Sequence, residues 1–250
     1  RTYLAAGKVN TRSAVHRQLV KEVRARLRRV VGLFTSTKDL QELIGRLCQV
    51  HLSSSSSLSL HQQLLSRHPS TSDRVSWYPQ WYHQLWQITG KPTVILDLGC
   101  GLHPFSFRFM GLKKIHYSAF DINRSHLQLV EQYFQYLRHQ LVEFSGKTTA
   151  LDVVKEREKL SRLPAADVAF LLKMTDILET KKGHKITERI LSQLPAKWVV
   201  ISFSTVTLSG KPMNYPGRKW IEWLCHRLGY SFSVLTFPTE IFYVIKKKVS

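Results

Sequence analysis

Two acids and a pair of glycines have the types and the spacing to hold a nucleotide-like ligand. Asp97 lies in an apolar stretch, residues 94–98, which is followed at once by Gly99 and Gly101. Such a stretch is typical of a buried parallel strand, and glycines let the backbone turn tightly and approach a ligand. Asp121 ends a second apolar stretch about twenty residues later, where an open α/β sheet binds a ribose. The spacing therefore indicates a nucleotide-type cofactor.

The glycine spacing separates two classes of cofactor. A dinucleotide site requires the pattern G-x-G-x-x-G, but Pro104 stands where its third glycine is needed. The pattern that is present, D-x-G-x-G from Asp97 to Gly101, resembles the first motif of S-adenosylmethionine-dependent methyltransferases. An ordinary strand-to-helix turn, in which the glycines serve geometry alone, is the alternative interpretation.

The composition indicates a folded protein with a polyanionic partner. The chain has 250 residues, 43% of them hydrophobic, and 37 Lys and Arg against 17 Asp and Glu give a net charge of +20. That excess predicts binding to nucleic acid. No apolar run is long enough for a membrane span and the start lacks a signal segment, so we expect a cytoplasmic monomer without membrane contact. Three widely spaced cysteines predict neither a disulfide framework nor a metal site.

The first part of the chain, residues 1–85, is predicted to be a small all-helical domain ahead of an α/β domain, residues 86–250. Residues 11–34 carry apolar side chains at helical spacing, and the opposite face is almost purely cationic. A helix face that carries almost only positive charge suits binding along a phosphate backbone. The alternative is a solvent-exposed helix in a basic protein. The expected RNA-binding residues on this helix are Arg17, Lys21, Arg24 and Arg28.

Further helices are expected between the basic helix and the glycine turn. Residues 38–51 have a second helical pattern, and the serine-rich residues 52–60 predict a flexible connector before a third short helix. Ser70, with Asp73 three residues later, predicts the start of another helix. Arg74 is a natural bidentate partner for a ligand carboxylate. The apolar face of this last helix consists of Trp77, Trp81, Leu85 and Trp86.

Strands and helices alternate after the glycine turn, and this alternation specifies a doubly wound α/β sheet. The third strand is expected at residues 148–154, with Asp152 near its end. The later strands are predicted at residues 166–172, 197–203, 231–236 and 240–246, and the helices at 125–144, 184–193 and 216–228.

Several stretches together resemble one family, the 16S ribosomal RNA guanine-N7 methyltransferases that confer aminoglycoside resistance. The glycine turn is shared by very many methyltransferases. More specific are the Ser-Thr-x-x-Arg sequence of residues 70–74 and the Leu-Leu-Lys sequence of residues 171–173. The chain departs from the family pattern at Ser204 and Val206, where the family usually has a proline and a basic residue. The other matching stretches are residues 21–34, 120–122, 200–203, 208–211 and 239–243.

The resemblance implies a Rossmann-like class I methyltransferase fold, with a mostly parallel seven-stranded sheet, that uses S-adenosylmethionine on 16S rRNA within the 30S ribosomal subunit. It implies that Arg74 binds the methionine carboxylate, Asp121 the ribose hydroxyls and Asp152 the adenine amine. Lys211 is expected to bind RNA. The expected cofactor-binding residues are Arg74, Asp97, Gly99, Cys100, Gly101, Asp121, Ile122, Asp152, Val153 and Leu172.

The choice of target atom depends on which side chains lie near the fourth strand, where the resemblance places Lys173 and Glu179. That strand ends without the Pro-Pro-aromatic turn common in exocyclic amine methyltransferases, and no cysteine for attack on cytosine C5 lies between Cys100 and Cys225. Guanine N7 carries a lone pair and no proton, so it requires no general base. The ring becomes positive as the methyl group arrives, and the Glu179 carboxylate would stabilise that charge unless it serves only in a surface salt bridge. Lys173 would contact a phosphate or guanine O6.

Two other functions stay open on the same residues. An enzyme of this fold would also suit another rRNA base, such as adenine N1. A methyltransferase-like protein that binds rRNA without catalysis is the second alternative, and the retained acids and glycines of the turn oppose it.

Overall fold

The computed structural model describes residues 37–179, 183–207 and 211–248, and within them seven strands form one sheet in the order β3-β2-β1-β4-β5-β7-β6. Strands β1 to β5 are parallel, and β7 runs antiparallel to both β5 and β6. The mostly parallel, doubly wound sheet predicted from the sequence is therefore confirmed. The strands are β1 (Val94–Leu98), β2 (Ile115–Asp121), β3 (Phe144–Ala150), β4 (Ala166–Leu172), β5 (Ala196–Ser204), β6 (Ser231–Phe237) and β7 (Glu240–Lys246).

Helices cover both faces of this sheet. One apolar cluster contains side chains from α1, α2, α4, α5 and α6 and from one face of the sheet, including Ile95 of β1. A second cluster contains α8 and α9 and the other face, including Leu96, because neighbouring residues of a strand point to opposite sides. The described helices are α1 (Thr37–Leu47), α2 (Ser55–Ser66), α3 (Pro69–Ser72), α4 (Tyr78–Thr89), α5 (Phe107–Met110), α6 (Arg124–Gln140), α7 (Thr175–Leu178), α8 (Lys185–Gln193) and α9 (Lys219–Leu228).

The N-terminal helices α1, α2 and α4 share one apolar cluster with the sheet. The predicted apolar face of α4 is confirmed, since Trp77, Trp81, Leu85 and Trp86 are all buried. All described residues belong to the unit Thr35–Ser250. The predicted basic helix at residues 11–34 lies outside the described residues, so the division into domains at residue 85 stays a prediction. No helix of the described part is both long and apolar enough to cross a membrane.

The serine-rich connector expected at residues 52–60 is wrong, because helix α2 begins inside it. Ser54 is the N-cap, and its hydroxyl accepts a hydrogen bond from the Ser57 amide at 3.1 Å. Ser57 is buried, and its backbone carbonyl accepts from Nδ1 of His61 at 2.7 Å. Burial of Leu60 and other apolar residues of α2 therefore outweighs the low helix propensity of serine.

The starts of β3 and α3 also differ from those predicted. Strand β3 spans Phe144–Ala150 rather than 148–154, so Asp152 lies in the turn beyond the strand. The strand contains Gly146, against which the Phe134 ring packs where a Cβ would stand, and Phe144 is buried at its start. Ser70 does not begin a helix as expected. Instead His68 caps α3, with its Nδ1 accepting from the Ser70 amide at 3.2 Å.

Candidate active site

The glycine turn and the end of β2 are joined by the Asp121 carboxylate. The Gly101 amide donates to Oδ2 of Asp121 at 2.8 Å, and the Asn123 amide donates to Oδ1 at 2.8 Å. Gly99 and Gly101 have φ values of +63° and +48°, which favour glycine. A Cβ on Gly99 would stand 2.1 Å from Sδ of Met174. The turn therefore requires glycine for its conformation, and at Gly99 also for close packing.

Asp97 lies beneath this turn and is buried. Its Oδ2 accepts a hydrogen bond from the Tyr117 hydroxyl at 2.8 Å and from Nδ1 of His103 at 2.9 Å. Nε2 of His103 in turn faces the Tyr82 hydroxyl at 2.9 Å. Burial and the charge of Asp97 hold the pKa of Tyr117 well above its ordinary value, so the phenol stays a donor. This buried network fixes the backbone from which the glycine turn departs.

Arg74 forms a buried, bidentate ion pair with Glu240, the first residue of β7. Nε donates to Oε2 at 2.8 Å and Nη2 donates to Oε1 at 2.7 Å. Arg74 is 1% exposed and Glu240 0% exposed. Burial disfavours the guanidinium charge, but the Glu240 carboxylate outweighs it and raises the pKa of Arg74 above its ordinary value. The two charges are therefore held together in the interior of the protein.

Lys173 joins the same group at the end of β4. Its Nζ lies 3.1 Å from Oδ2 of Asp73 and 3.5 Å from Oε2 of Glu240. The backbone of Lys173 has a φ of +54°, and its amide donates to Oγ of Ser202 at 2.9 Å. A positive φ is uncommon for a lysine and indicates local strain held by these contacts. We call Asp73, Arg74, Lys173 and Glu240 the charge cluster.

His68 borders the charge cluster as a neutral ring. Burial, and to a smaller extent the positive charges of His126, Arg74 and Lys173, together lower its pKa to about 4. The ring of His126 contacts that of His68 edge to face, with centroids 6.3 Å apart. The cluster therefore gains no third cation near neutral pH.

Glu179, the proposed carboxylate near the target base, caps a helix in this structure. Its Oε1 accepts a hydrogen bond from the Thr187 amide, in the first turn of α8, at 2.7 Å. A carboxylate in that position is favoured by the positive end of the helix. The contact leaves the second oxygen of Glu179 for other partners.

The other predicted cofactor residues lie on both sides of the turn. Ile122 follows Asp121 and is 56% exposed, whereas the side chains of Cys100 and Val153 are buried. Leu172, at the end of β4, is buried as well. Oδ1 of Asp152 accepts from the amides of residues 154 and 155 at 3.0 and 3.1 Å. The structure thus offers the exposed Ile122 side chain to a ligand, and the roles of all these residues stay predictions.

The predicted RNA-binding residues fall largely outside the described part of the chain. Lys211 is described and exposed, and its neighbour Pro212 forms an isolated antiparallel bridge with Val206. Its amide donates to Oγ1 of Thr207 at 3.1 Å. The residues outside the described ranges are Arg17, Lys21, Arg24 and Arg28.

Comparison with known proteins assigns the chain to a family. Residues 4–244 match the family described as "Ribosomal RNA methyltransferase (FmrO)". The chain belongs to this family. It is 23% identical, over 92% of its length, to a 16S rRNA (guanine(1405)-N(7))-methyltransferase of Proteus mirabilis, 85% of which is covered. A protein of the same name from Frankia casuarinae is 26% identical over 72% of this chain and 61% of its own.

Solved structures share the fold of this FmrO-family chain. The 16S rRNA methyltransferase RmtF, crystallised with S-adenosyl-L-homocysteine, superposes with a TM-score of 0.70 at 24% identity, covering 95% of this chain and 86% of the other. The 16S rRNA methylase RmtB gives a TM-score of 0.64 at 22% identity, covering 93% and 83%. The class I methyltransferase fold predicted from the sequence is therefore confirmed.

Several residues of this site, among them Glu240, His103 and Met174, were not among the predicted site residues. Glu240 carries a detectable signal, because a charged residue directly before the buried residues 241–245 needs a partner if it is buried with them. His103 and Met174 carry none, since nothing in their spacing indicates that they contact Asp97 and Gly99. Their positions follow from how the turn packs.

Proposed function

We propose that this FmrO-family chain transfers the methyl group of S-adenosylmethionine to N7 of guanine 1405 in the 16S rRNA of the assembled 30S subunit. The observation that carries the proposal is the glycine turn closed by Asp121, in a chain whose family and whose relatives in Proteus mirabilis and Frankia casuarinae are named for rRNA methylation. We expect a monomer in the cytoplasm and protection against aminoglycosides.

The residues around the turn suit this cofactor. Gly99 and Gly101 let the backbone approach the ligand, Asp121 would accept from the ribose hydroxyls, and Ile122 offers an exposed apolar side chain to the adenine. The Arg74 guanidinium has five N–H donors, of which Glu240 takes two, so donors remain for the methionine carboxylate. Bound S-adenosylmethionine supplies an electrophilic methyl group. Asp152 would accept from the adenine amine.

The chemistry needs positioning and charge more than proton transfer. N7 of guanine attacks through a lone pair, so no residue has to remove a proton, and holding donor and acceptor in line supplies most of the catalysis. Positive charge develops on the purine, and the Glu179 carboxylate would stabilise that charge. Lys173, at the end of β4, would contact a phosphate or guanine O6, exchanging part of its pairing with Asp73 for RNA.

Methylation of purified 30S subunits with a labelled donor, followed by mapping of the modified base, tests this function. Asp121→Ala removes a charged hydrogen-bond partner, so we expect cofactor affinity to fall roughly ten- to a hundredfold. The matched control is Asp167→Ala, because Asp167 also accepts two backbone amides, from Thr93 and Val94, at the opposite edge of the sheet.

Each other outcome identifies an alternative. Labelling at adenine N1 would reassign the target within rRNA methylation. Cofactor binding without transfer to 30S subunits or to naked 16S rRNA would make the chain a non-catalytic rRNA-binding protein. Equal cofactor affinity in the parent chain and Asp121→Ala would remove the proposed cofactor site.

A further inference from the structure

The outer face of helix α9 carries an exposed tryptophan between two cations. Ile221, Leu224 and Cys225 are buried against the sheet, which turns the opposite face of the helix outward. On that face Lys219, Trp223 and Arg227 follow one another at intervals of four residues. Such residues form one stripe along a helix, here roughly 12 Å long. Trp223 is 77% exposed, which leaves its large ring almost entirely in water.

A shallow groove beside Trp223 is lined by a second aromatic pair. His184, just before α8, stacks on Trp220 with ring centroids 3.8 Å apart and an angle of 6° between the planes. Gly183, Lys219, Trp223 and Arg227 complete much of the lining. The groove therefore offers flat ring surfaces next to long cationic side chains.

The charge around this groove is positive. Lys219 is exposed and forms no ion pair within the described ranges, whereas Arg227 pairs with Glu188 at 2.7 Å and is still 61% exposed. Lys185 and Arg189 of α8 are exposed as well. In a chain with a net charge of +20, this surface is complementary to a polyanion rather than to a typical neutral protein surface.

The stripe begins near the edge of the sheet that holds the glycine turn. Helix α9 follows the segment that leaves the carboxyl end of β5, and the carboxyl ends of parallel strands share one edge. Arg218, immediately before α9, lies 3.4 Å from the Ser204 carbonyl and 3.7 Å from the Asp176 carboxylate. RNA held at the proposed methylation site would therefore pass close to the start of the stripe.

We infer that the stripe of Lys219, Trp223 and Arg227 is an additional RNA-binding surface, in which Trp223 stacks on an unpaired base and the two cations bind the flanking phosphates. The inference rests on the proposed function for its partner class and adds a contact outside the cofactor site. Stacking of bases on aromatic rings within a cationic groove is the recurring mode of single-strand binding. A protein partner would need no flanking cations.

Binding of a fluorescent single-stranded uridine oligonucleotide, compared with an abasic oligonucleotide of equal charge, tests the inference. Trp223→Ala should weaken binding of the uridine oligonucleotide roughly five- to a hundredfold and leave the abasic one nearly unchanged. Trp223→Tyr should keep most of the affinity, because the ring remains. Val142→Ala, at another fully exposed apolar residue, is the matched control and should change neither.

The inference is overturned if Trp223→Ala binds both oligonucleotides as the parent chain does. It is equally overturned if light scattering shows that Trp223→Ala converts a dimer to a monomer without affecting oligonucleotide binding. In that case the stripe binds a second copy of this chain. Methylation of 30S subunits separates this result from the proposed function. If the parent chain leaves 30S unmethylated while base-dependent binding still requires Trp223, the proposed function fails and the RNA surface stands. If the parent chain methylates 30S and Trp223→Ala changes neither oligonucleotide binding nor KM, the proposed RNA-binding surface is rejected and the proposed function is kept.

Discussion

Replacement of Glu240 by glutamine should destabilise this protein strongly. The change keeps the shape of the side chain but leaves the Arg74 guanidinium, 1% exposed, without its counterion and 2.7–2.8 Å from a neutral amide. Breaking a buried ion pair by removing one partner costs about 3–5 kcal/mol. For a chain of this size each kcal/mol lowers Tm by about 2–4 °C, so we expect a fall of about 6–20 °C.

Thermal unfolding followed by circular dichroism measures this effect. The control is Glu143→Gln, whose exposed ion pair with Lys114 spans 3.3 Å and should contribute only about 0–1 kcal/mol. The double variant Arg74→Met with Glu240→Leu should recover much of the loss, because it leaves no buried charge unpaired. A Glu240→Gln protein that melts with the Glu143→Gln control, or a double variant as unstable as the single one, would refute this account of the charge cluster.

Three further changes test other parts of the protein. Gly99→Ala should lower cofactor affinity more than Gly111→Ala. Both glycines have φ near +63°, but only at Gly99 would the added Cβ meet Met174, 2.1 Å from its Sδ. Equal affinities of the two variants would contradict this packing. The free energy of unfolding should fall as pH drops from 6.5 towards 4, because burial lowers the pKa of His61 to about 4 and the unfolded chain therefore binds more protons than the folded one. Urea titrations should show a smaller fall for His61→Gln, and a fall equal to that of the parent chain would show that His61 does not cause this pH dependence. Glu179→Gln keeps an acceptor for the Thr187 amide but loses the charge, so it should slow methyl transfer and reduce protection against gentamicin while cofactor affinity stays unchanged. A variant that transfers the methyl group at the parent rate would show that Glu179 serves only as a helix cap.

The strands that the sequence predicts most closely are those buried on both faces. β4 and β7 have the predicted bounds, since continuous apolar runs mark central strands. Among the described strands β3 lies at an edge of the sheet and pairs with β2 alone, and it contains Ser145, Gly146 and Lys147 near its start. Those residues carry little strand signal, so the predicted strand began four residues late at Thr148. Asp152 was therefore expected in the strand but lies in the following turn.

The cofactor side of the site is predictable for a local reason. Asp97, Gly99 and Gly101 are neighbours in sequence, and Asp121 closes the turn from the adjacent strand. The charge cluster has no such signature, because Arg74 and Glu240 are 166 positions apart and nothing in either segment specifies the other. Only the structure shows that both side chains are buried and paired with each other.

The position of Glu240 follows from the antiparallel direction of β7 in the sheet. β7 runs antiparallel to β5, so its first residue, Glu240, lies opposite Ser204, the last residue of β5. Ligands bind at the carboxyl ends of parallel strands, and the start of an antiparallel neighbour reaches that same edge. Glu240 therefore meets Lys173 from the end of β4 and Arg74 from the segment after α3. Because it holds both cations, strand β7 belongs to the site as well as to the sheet, and loss of its acid should disturb stability and cofactor affinity together.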